Sequence, residues 1–385
     1  MNEVGMLAKL KHNLPWLIRY PDDAARAFLE STAFEKKHLI ITVANHFEPG
    51  WSPNGILDHE TQLKRLREYV ATARTTADLV RDSDGTGFRH TNFYPAEQYD
   101  RELLDILAEM QSEGLGEVEV HLHHGVDRPD TSDNLRRQLV EFRDVLAERH
   151  RCLSRSAIDP TPKYAFVHGN LALANSCGGK FCGVDDEMLI LKETGCYADF
   201  TLPSAPDRSQ VSVINRIYES AGDLSKARPH DTAIRCEVGG KQPDSPMIIT
   251  GPLRFGFRNA IRPYIEDGAL TSALGSDISR LKHWRHANVT ILGRSDWIFV
   301  KLYAHGFFDH DRSASIGEGA QRLFAGIVEE GEKSGSYSTH FVSAREMFNI
   351  ATAAIDGHSG DPNSYRNYAL LPIMQATEQT AAATV

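Results

Sequence analysis

Residues 117–125 read EVEVHLHHG, and His121 and His123 in that string have the spacing of a metal site. Acidic or imidazole side chains at 117, 119, 121 and 123 alternate with aliphatic ones at 118, 120 and 122, the period-two pattern of a β-strand, so the two imidazoles share one face. A second candidate is NHFEPGW at 45–51. On an extended chain His46 and Glu48 also share a face and can reach one ion. A loop whose His and Glu simply face water is the other reading of that string. Histidine and carboxylate ligands with an open position are what a catalytic zinc site uses, to lower the pKa of bound water and polarise a carbonyl. Asp199 is then placed to act as general base and His305 as general acid. His124, His168 and Asn170 complete the polar set as candidate substrate contacts, together with Trp51, whose ring offers an apolar face.

These residues recur at the ends of strand-like runs. HLIITVA at 38–44 is a nearly continuous apolar run that suits a parallel strand buried on both faces. It empties into His46 and Glu48. HTNFY (90–94) and YAFV (164–167) are further strands, the latter ending in His168, Gly169 and Asn170. Asp199 follows another short strand, and WIFVKLY (297–303) delivers His305. Between them lie helical stretches at 58–80, 97–113, 134–149, 185–194 and 277–287, and Ser343 is a plausible N-cap for a last helix. Strands alternating with helices predict an α/β fold, here a distorted parallel (β/α) barrel of seven or so strands with one functional rim. The domain reading is a helical extension over 1–37 interrupted by Pro15, a barrel over 38–356 with an irregular insertion or pair of hairpins around 207–262, and a polar tail over 357–385 whose last ten residues look disordered.

A formal net charge of −10 argues against a nucleic-acid surface, which needs clustered Lys and Arg. The N-terminal segment lacks a secretory apolar core, and nowhere are there the eighteen or so consecutive apolar residues of a membrane span. The expectation is a cytoplasmic protein with no membrane span. Five cysteines do not suggest a disulfide framework. Cys177 and Cys182 could form a redox pair or half a zinc site; reduced loop thiols are the alternative. There is no GxSxG elbow, P-loop or dinucleotide fingerprint, so covalent serine catalysis and nucleotide binding have no support.

The order of these motifs over residues 38–350 resembles the glycoside hydrolase/deacetylase barrel superfamily, which includes the polysaccharide deacetylases. A first strand ends in site residues, a histidine motif follows the third, and a late strand runs through Leu302 to His305. The segment DEMLILKETGCYADF is similar to the helix and turn that lead into their next strand. Where those esterases have paired aspartates this chain has Asn45 and His46, and their histidines four apart are here at 121, 123 and 124, so their catalytic base has no counterpart. HFEPGW resembles instead the HxDPGW motif of class II α-mannosidases, which implies His46 and Glu48 as zinc ligands. The resemblance implies a zinc-dependent hydrolase on a carbohydrate substrate, removing an acyl group from an N-acetylated sugar or polysaccharide intermediate. A glycosidase, or a barrel that binds carbohydrate without catalysis, are the alternatives.

Overall fold

The computed structural model describes residues 3–31, 36–258 and 262–374. In chain order the elements are α1 (Glu3–Glu30), β1 (Lys37–His46), α2 (His59–Leu79), β2 (His90–Pro95), α3 (Arg101–Ser112), β3 (Gly116–Leu122), α4 (Ser132–Asp144), β4 (Ser154–Ser156), β5 (Tyr164–His168), α5 (Glu187–Glu193) and β6 (Cys196–Asp199). There follow β7 (Ile217–Ser220), β8 (Ala233–Arg235), β9 (Met247–Ile249), β10 (Arg254–Arg258), β11 (Arg262–Glu266), α6 (Leu281–Ala287), β12 (Trp297–Ala304), α7 (Arg312–Ser315), α8 (Glu318–Ser334), β13 (Tyr337–Phe341), α9 (Ala344–Ile355) and β14 (Leu370–Pro372).

One ten-stranded sheet organises the chain, in the order β12-β1-β2-β3-β5-β6-β9-β7-β8, with β13 also on β1. The strands from β12 to β6 are mutually parallel, so their C-terminal ends gather along one edge. One side of β1 is divided: β13 pairs with Lys37 to Ile41 and β2 with Ala44 to His46. β1 is therefore surrounded on every side, which is why 38–44 reads as an unbroken apolar run; Leu39, Ile40 and Val43 have no exposed surface. The fold is thus mixed α/β around a large sheet flanked by helices. The expected barrel is not closed by a continuous strand ladder: the path ends in the antiparallel β7 and β8.

The helices form where apolar stripes meet caps. In α3 the Asp100 side chain accepts from Leu103 N, and Leu103, Leu104, Leu107 and Met110 are buried. Full burial of one such leucine contributes roughly 1.5–3 kcal/mol. Ser343 and Glu346 close a capping box on α9, the N-cap expected from sequence. The N-terminal helix runs through Pro15 rather than breaking there. It is held by Trp16, which is buried and stacks on Phe255 at 5.4 Å, and by Arg235 on Glu30 at 2.7 Å. Within 207–262, Met247–Ile249 joins the main sheet beside β6, β7 pairs with β8, and β10 begins a hairpin with β11. Past Gly357 the chain stays ordered to residue 374, with Asn349 donating to the Leu370 carbonyl at 2.8 Å. The final ten residues, expected to be disordered, lie outside the described residues.

Candidate metal centre

Two clusters of ligand-type side chains form at the C-terminal edge of the sheet, each taking histidine from residues 121–124. The first is open. β1 delivers His46 and, just beyond it, Glu48; β3 delivers His121 and, immediately after it, His123. Glu48 Oε1 lies 3.0 Å from His123 Nε2 and 3.5 Å from His121 Nε2. The His46 ring stands between His121 and His305, at centroid distances of 4.9 and 4.5 Å. All four residues expected to bind metal are thus brought together, and His305 with them. The alternation that placed His121 on this face also places Glu117 and Glu119 there, deeper in the sheet. Glu117 is occupied by Arg345 at 2.7 Å, and Glu119 accepts from Ala165 N and the Tyr197 hydroxyl, each at 2.6 Å.

His121 shows which ring nitrogen faces the cluster. Its Nδ1 donates to the Val167 carbonyl at 2.7 Å, which fixes the tautomer and leaves Nε2 a lone pair. That Nε2 is buried and has no hydrogen-bond partner. A buried polar atom without a partner costs about 1–3 kcal/mol, and a ring held by a carbonyl on one nitrogen and free on the other is how metal-binding histidines are set. At His123 both nitrogens meet carboxylates: Glu97 Oε1 accepts from Nδ1 at 2.7 Å, and Nε2 lies 3.0 Å from Glu48 Oε1. The residues present fit a divalent cation.

The electrostatics follow from burial and neighbours. Burial raises the Glu48 carboxyl, but the imidazoles of His121 and His123 outweigh it and hold the group well below the carboxylate range. Burial pulls His123 down, and Glu48 and Glu97 together lift it to about 10. His46 is driven well below its ordinary value by burial and then by His305 and His121. Burial also lowers His305, only partly offset by Glu48, so this imidazole is neutral near pH 7.

The second cluster is closed. His124 points away from His121 and His123, and its Nε2 lies 3.0 Å from both His168 Nε2 and Glu187 Oε1. Cys182 Sγ lies 3.5 Å from Glu187 Oε2. His124 and His168 were expected to touch substrate, yet they are 4% and 0% exposed, and Glu187 and Cys182 are 0% exposed. The loop that closes over them is tightly wound. Asn170, Leu171, Ala174, Asn175 and Phe181 all take positive φ values, a conformation costing an ordinary residue roughly 1–2 kcal/mol. Gly125 lies so close to the backbone of Cys182 that a Cβ there would stand 2.0 Å from the Cys182 carbonyl oxygen. Gly169 is the wall between the clusters: a Cβ on it would meet the His123 ring at 2.4 Å.

The remaining expected residues fall in different places. Asn170 is exposed, beside the closed cluster in sequence. Trp51 is 37% exposed and packs at 4.1 Å on Phe308, which stacks on His305 at 4.6 Å. Asp199 is buried, its two oxygens accepting from Thr201 N at 3.0 Å and Thr201 Oγ1 at 2.8 Å. Burial raises it to about 7 although the Thr201 bonds pull the other way. Lys301 is buried too, donates to the Leu202 carbonyl at 2.9 Å, and is lowered to about 7 by burial.

Sequence reasoning did not single out Glu97, Glu187 or the part of Cys182. Glu97 sits in a short 3-10 turn after β2, and its reach to His123 comes from the β2–β3 pairing, Pro95 opposite His121. Cys182 was paired in sequence with Cys177, but Cys177 stands outside the cluster and all five cysteines are free thiols.

Taken together, the two clusters, Glu48–His121–His123 and His124–His168–Cys182–Glu187, have geometry compatible with divalent-cation binding and with a metal-dependent enzyme of α/β class. No helix among the described residues is long and apolar enough to cross a membrane. No protein-family model and no curated protein matches the chain.

Proposed function

We propose that the chain is a metal-dependent hydrolase acting on carbohydrate, releasing the acyl group of an N-acetylated sugar or polysaccharide intermediate at the open cluster. The observation that carries this reading is the buried, partnerless Nε2 of His121, aimed at Glu48 beside His123. Glu48, His121 and His123 hold the cation, with His46 packed on His121 to complete the set, and the mixed imidazole–carboxylate donors suit zinc. A cation bound there supplies a polarised acyl carbonyl and a more acidic water.

The chain's own residues do the rest. Glu97 keeps the His123 ring oriented through Nδ1. His305, neutral and next to His46, takes the proton of the attacking water and returns it to the departing amine, acting as base and then as acid. Phe308 and Trp51 extend from His305 as an aromatic ledge for a sugar ring. The ledge leads to a cleft of about 570 Å³ lined by Trp51, Leu57, Lys64, Arg65, Phe307 and His310.

The same reading takes the sheet as a distorted barrel: Lys301 on β12 reaches the Leu202 carbonyl beyond β6, and Tyr303 bridges to Ala269. It takes the compartment as reducing, in keeping with five free thiols. A glycosidase needs a second carboxylate facing the bond, and Asp199 has both oxygens engaged by Thr201.

Zinc-loaded protein incubated with N-acetylated oligosaccharides should release acetate without new reducing ends. Reducing sugar without acetate would replace the deacetylase reading with the glycosidase one. Release of neither by zinc-loaded protein, at a rate above that of His121→Ala, would remove hydrolysis of this substrate class.

A further inference from the structure

We propose that His124, His168, Cys182 and Glu187 form a second, closed zinc site that is structural and fastens the 169–183 loop over the sheet edge. Four donors of the kinds zinc takes, two imidazole nitrogens, a cysteine sulfur and a carboxylate oxygen, come within 4.8 Å of one another, all on buried residues. The separations are 3.0 Å for His124 to His168, and 3.0 Å for His124 and 3.3 Å for His168 to Glu187 Oε1, while Cys182 lies 3.5 Å from the other carboxylate oxygen, Oε2. Ligand atoms around a tetrahedral zinc stand roughly 3.3–3.6 Å apart, given bonds of about 2.0–2.3 Å. The cluster is therefore drawn in slightly from the size the ion needs.

Hydrogen bonding shows which atoms face inward. His168 Nδ1 donates to the Gly169 carbonyl, and His124 Nδ1 faces Asp130 Oδ2 at 3.1 Å. With Nδ1 carrying the proton on both rings, each Nε2 presents a lone pair to the other and to the Glu187 carboxylate. Without a proton on one of those nitrogens that contact is repulsive, and a cation between them relieves it. The same carbonyl and carboxylate are the outer partners that orient zinc-binding imidazoles. A zinc ion with Cys182 as thiolate and Glu187 as carboxylate sums to zero charge, the condition under which ions can be buried together. Four protein ligands leave no place for water, and that distinguishes a structural from a catalytic site.

The fold around the cluster is one that a staple would hold. Asp130 N donates to the Cys182 carbonyl at 2.8 Å and Phe181 N to the Gly125 carbonyl at 2.9 Å, zipping the segment after β3 to the 169–183 loop. Ala174, at φ 50°, donates its N–H to Glu187 Oε2 at 2.5 Å, so a ligand also holds a strained residue of the loop. This site does not depend on the reading of the open cluster, whose donors include no sulfur.

Sulfur makes the test specific. X-ray absorption at the zinc edge on His121→Ala protein reconstituted with zinc should show one sulfur at about 2.3 Å and three nitrogen or oxygen neighbours at about 2.0–2.2 Å. One zinc should survive dialysis against EDTA and come off when the protein is unfolded. In wild-type protein the same sulfur should appear as half a neighbour per zinc. Cys182→Ser should lose the sulfur shell while Cys177→Ser keeps it. Folded protein that holds no zinc after EDTA, or a zinc shell of nitrogen and oxygen alone in both wild type and His121→Ala, would overturn the proposal and leave this cluster a hydrogen-bonded network.

Discussion

The two histidine clusters are built from adjacent residues and differ in almost every property that matters for function. His121 and His123 face Glu48 at an edge where the His123 side chain is 21% exposed; His124, next in sequence, turns into a pocket where His168 and Glu187 have no exposure at all. The first has three gathered ligand atoms, a neutral histidine nearby and a cleft beside it; the second has four ligand atoms and no room. An open coordination position permits chemistry, and a closed one permits only folding. One turn of backbone after β3 is enough to separate the two.

The comparison predicts opposite consequences for similar substitutions. Glu187→Ala leaves two buried imidazoles and a thiol without their partner and should cost about 3–5 kcal/mol in denaturant unfolding, the range for breaking a buried charged cluster. His123→Ala should abolish hydrolysis at a smaller stability cost, about 1–3 kcal/mol, because it leaves the buried Glu48 carboxylate facing His121 alone. Equal destabilisation by both would erase the distinction between the sites.

A third region sharpens the contrast, because Glu346 is a buried carboxylate satisfied by arginines rather than by histidines. Arg89 and Arg366 lie 2.6 and 3.2 Å from it. Burial raises this carboxyl, but the guanidinium groups of Arg89, Arg366 and Arg345 outweigh it and bring it to about 2 from its ordinary 4.5. A folded value below the unfolded one means stability that is full above pH 4.5 and lost as pH falls toward 2, on the order of 3 kcal/mol. Glu346→Gln should flatten that acid limb in urea titrations, and EDTA should leave the limb unchanged. A limb that moved with EDTA would mean the metal clusters, not this ion pair, set the acid response.

Smaller effects separate the parts of the open site. Glu97→Gln should weaken zinc binding by about 10- to 100-fold, the usual loss when the partner of a metal-binding histidine is altered, with little change in melting temperature. A change in stability without a change in zinc affinity would make Glu97 a surface ion-pair residue only. Trp51→Ala should raise KM about 2- to 10-fold at constant kcat, the approximately 0.5–1.5 kcal/mol of one aromatic contact. An unchanged KM would put the sugar elsewhere than on the Trp51–Phe308 ledge.

Much of this was legible in the sequence because it is periodic. The alternation over 117–123 places His121 and His123 on one face, and the apolar run at 38–44 marks β1 as the most enclosed strand. Ser343 was readable as a cap because capping is decided within four residues. The closed cluster was not legible, since it depends on a loop whose residues adopt left-handed conformations that no periodicity encodes: Ala174 and Phe181 are not residues from which a positive φ would be read. Glu97 lies 26 residues before His123, and only the lateral pairing of β2 with β3 brings them together. The division of one edge of β1 between β13 and β2 is likewise a matter of long-range pairing, as is the failure of the ladder to close. The helix Glu318–Ser334 is a different case: Leu323, Phe324, Ile327 and Val328 show helical spacing, yet no sequence expectation covered it.

The central claim is that Glu48, His121 and His123 hold a catalytic cation, and the most direct measurement is the zinc content of His121→Ala against wild type, taken on the same preparations as the acetate-release assay. We expect one zinc fewer per chain in the variant, together with loss of acetate release, in protein that still unfolds cooperatively. An unchanged zinc count with unchanged activity would contradict the claim.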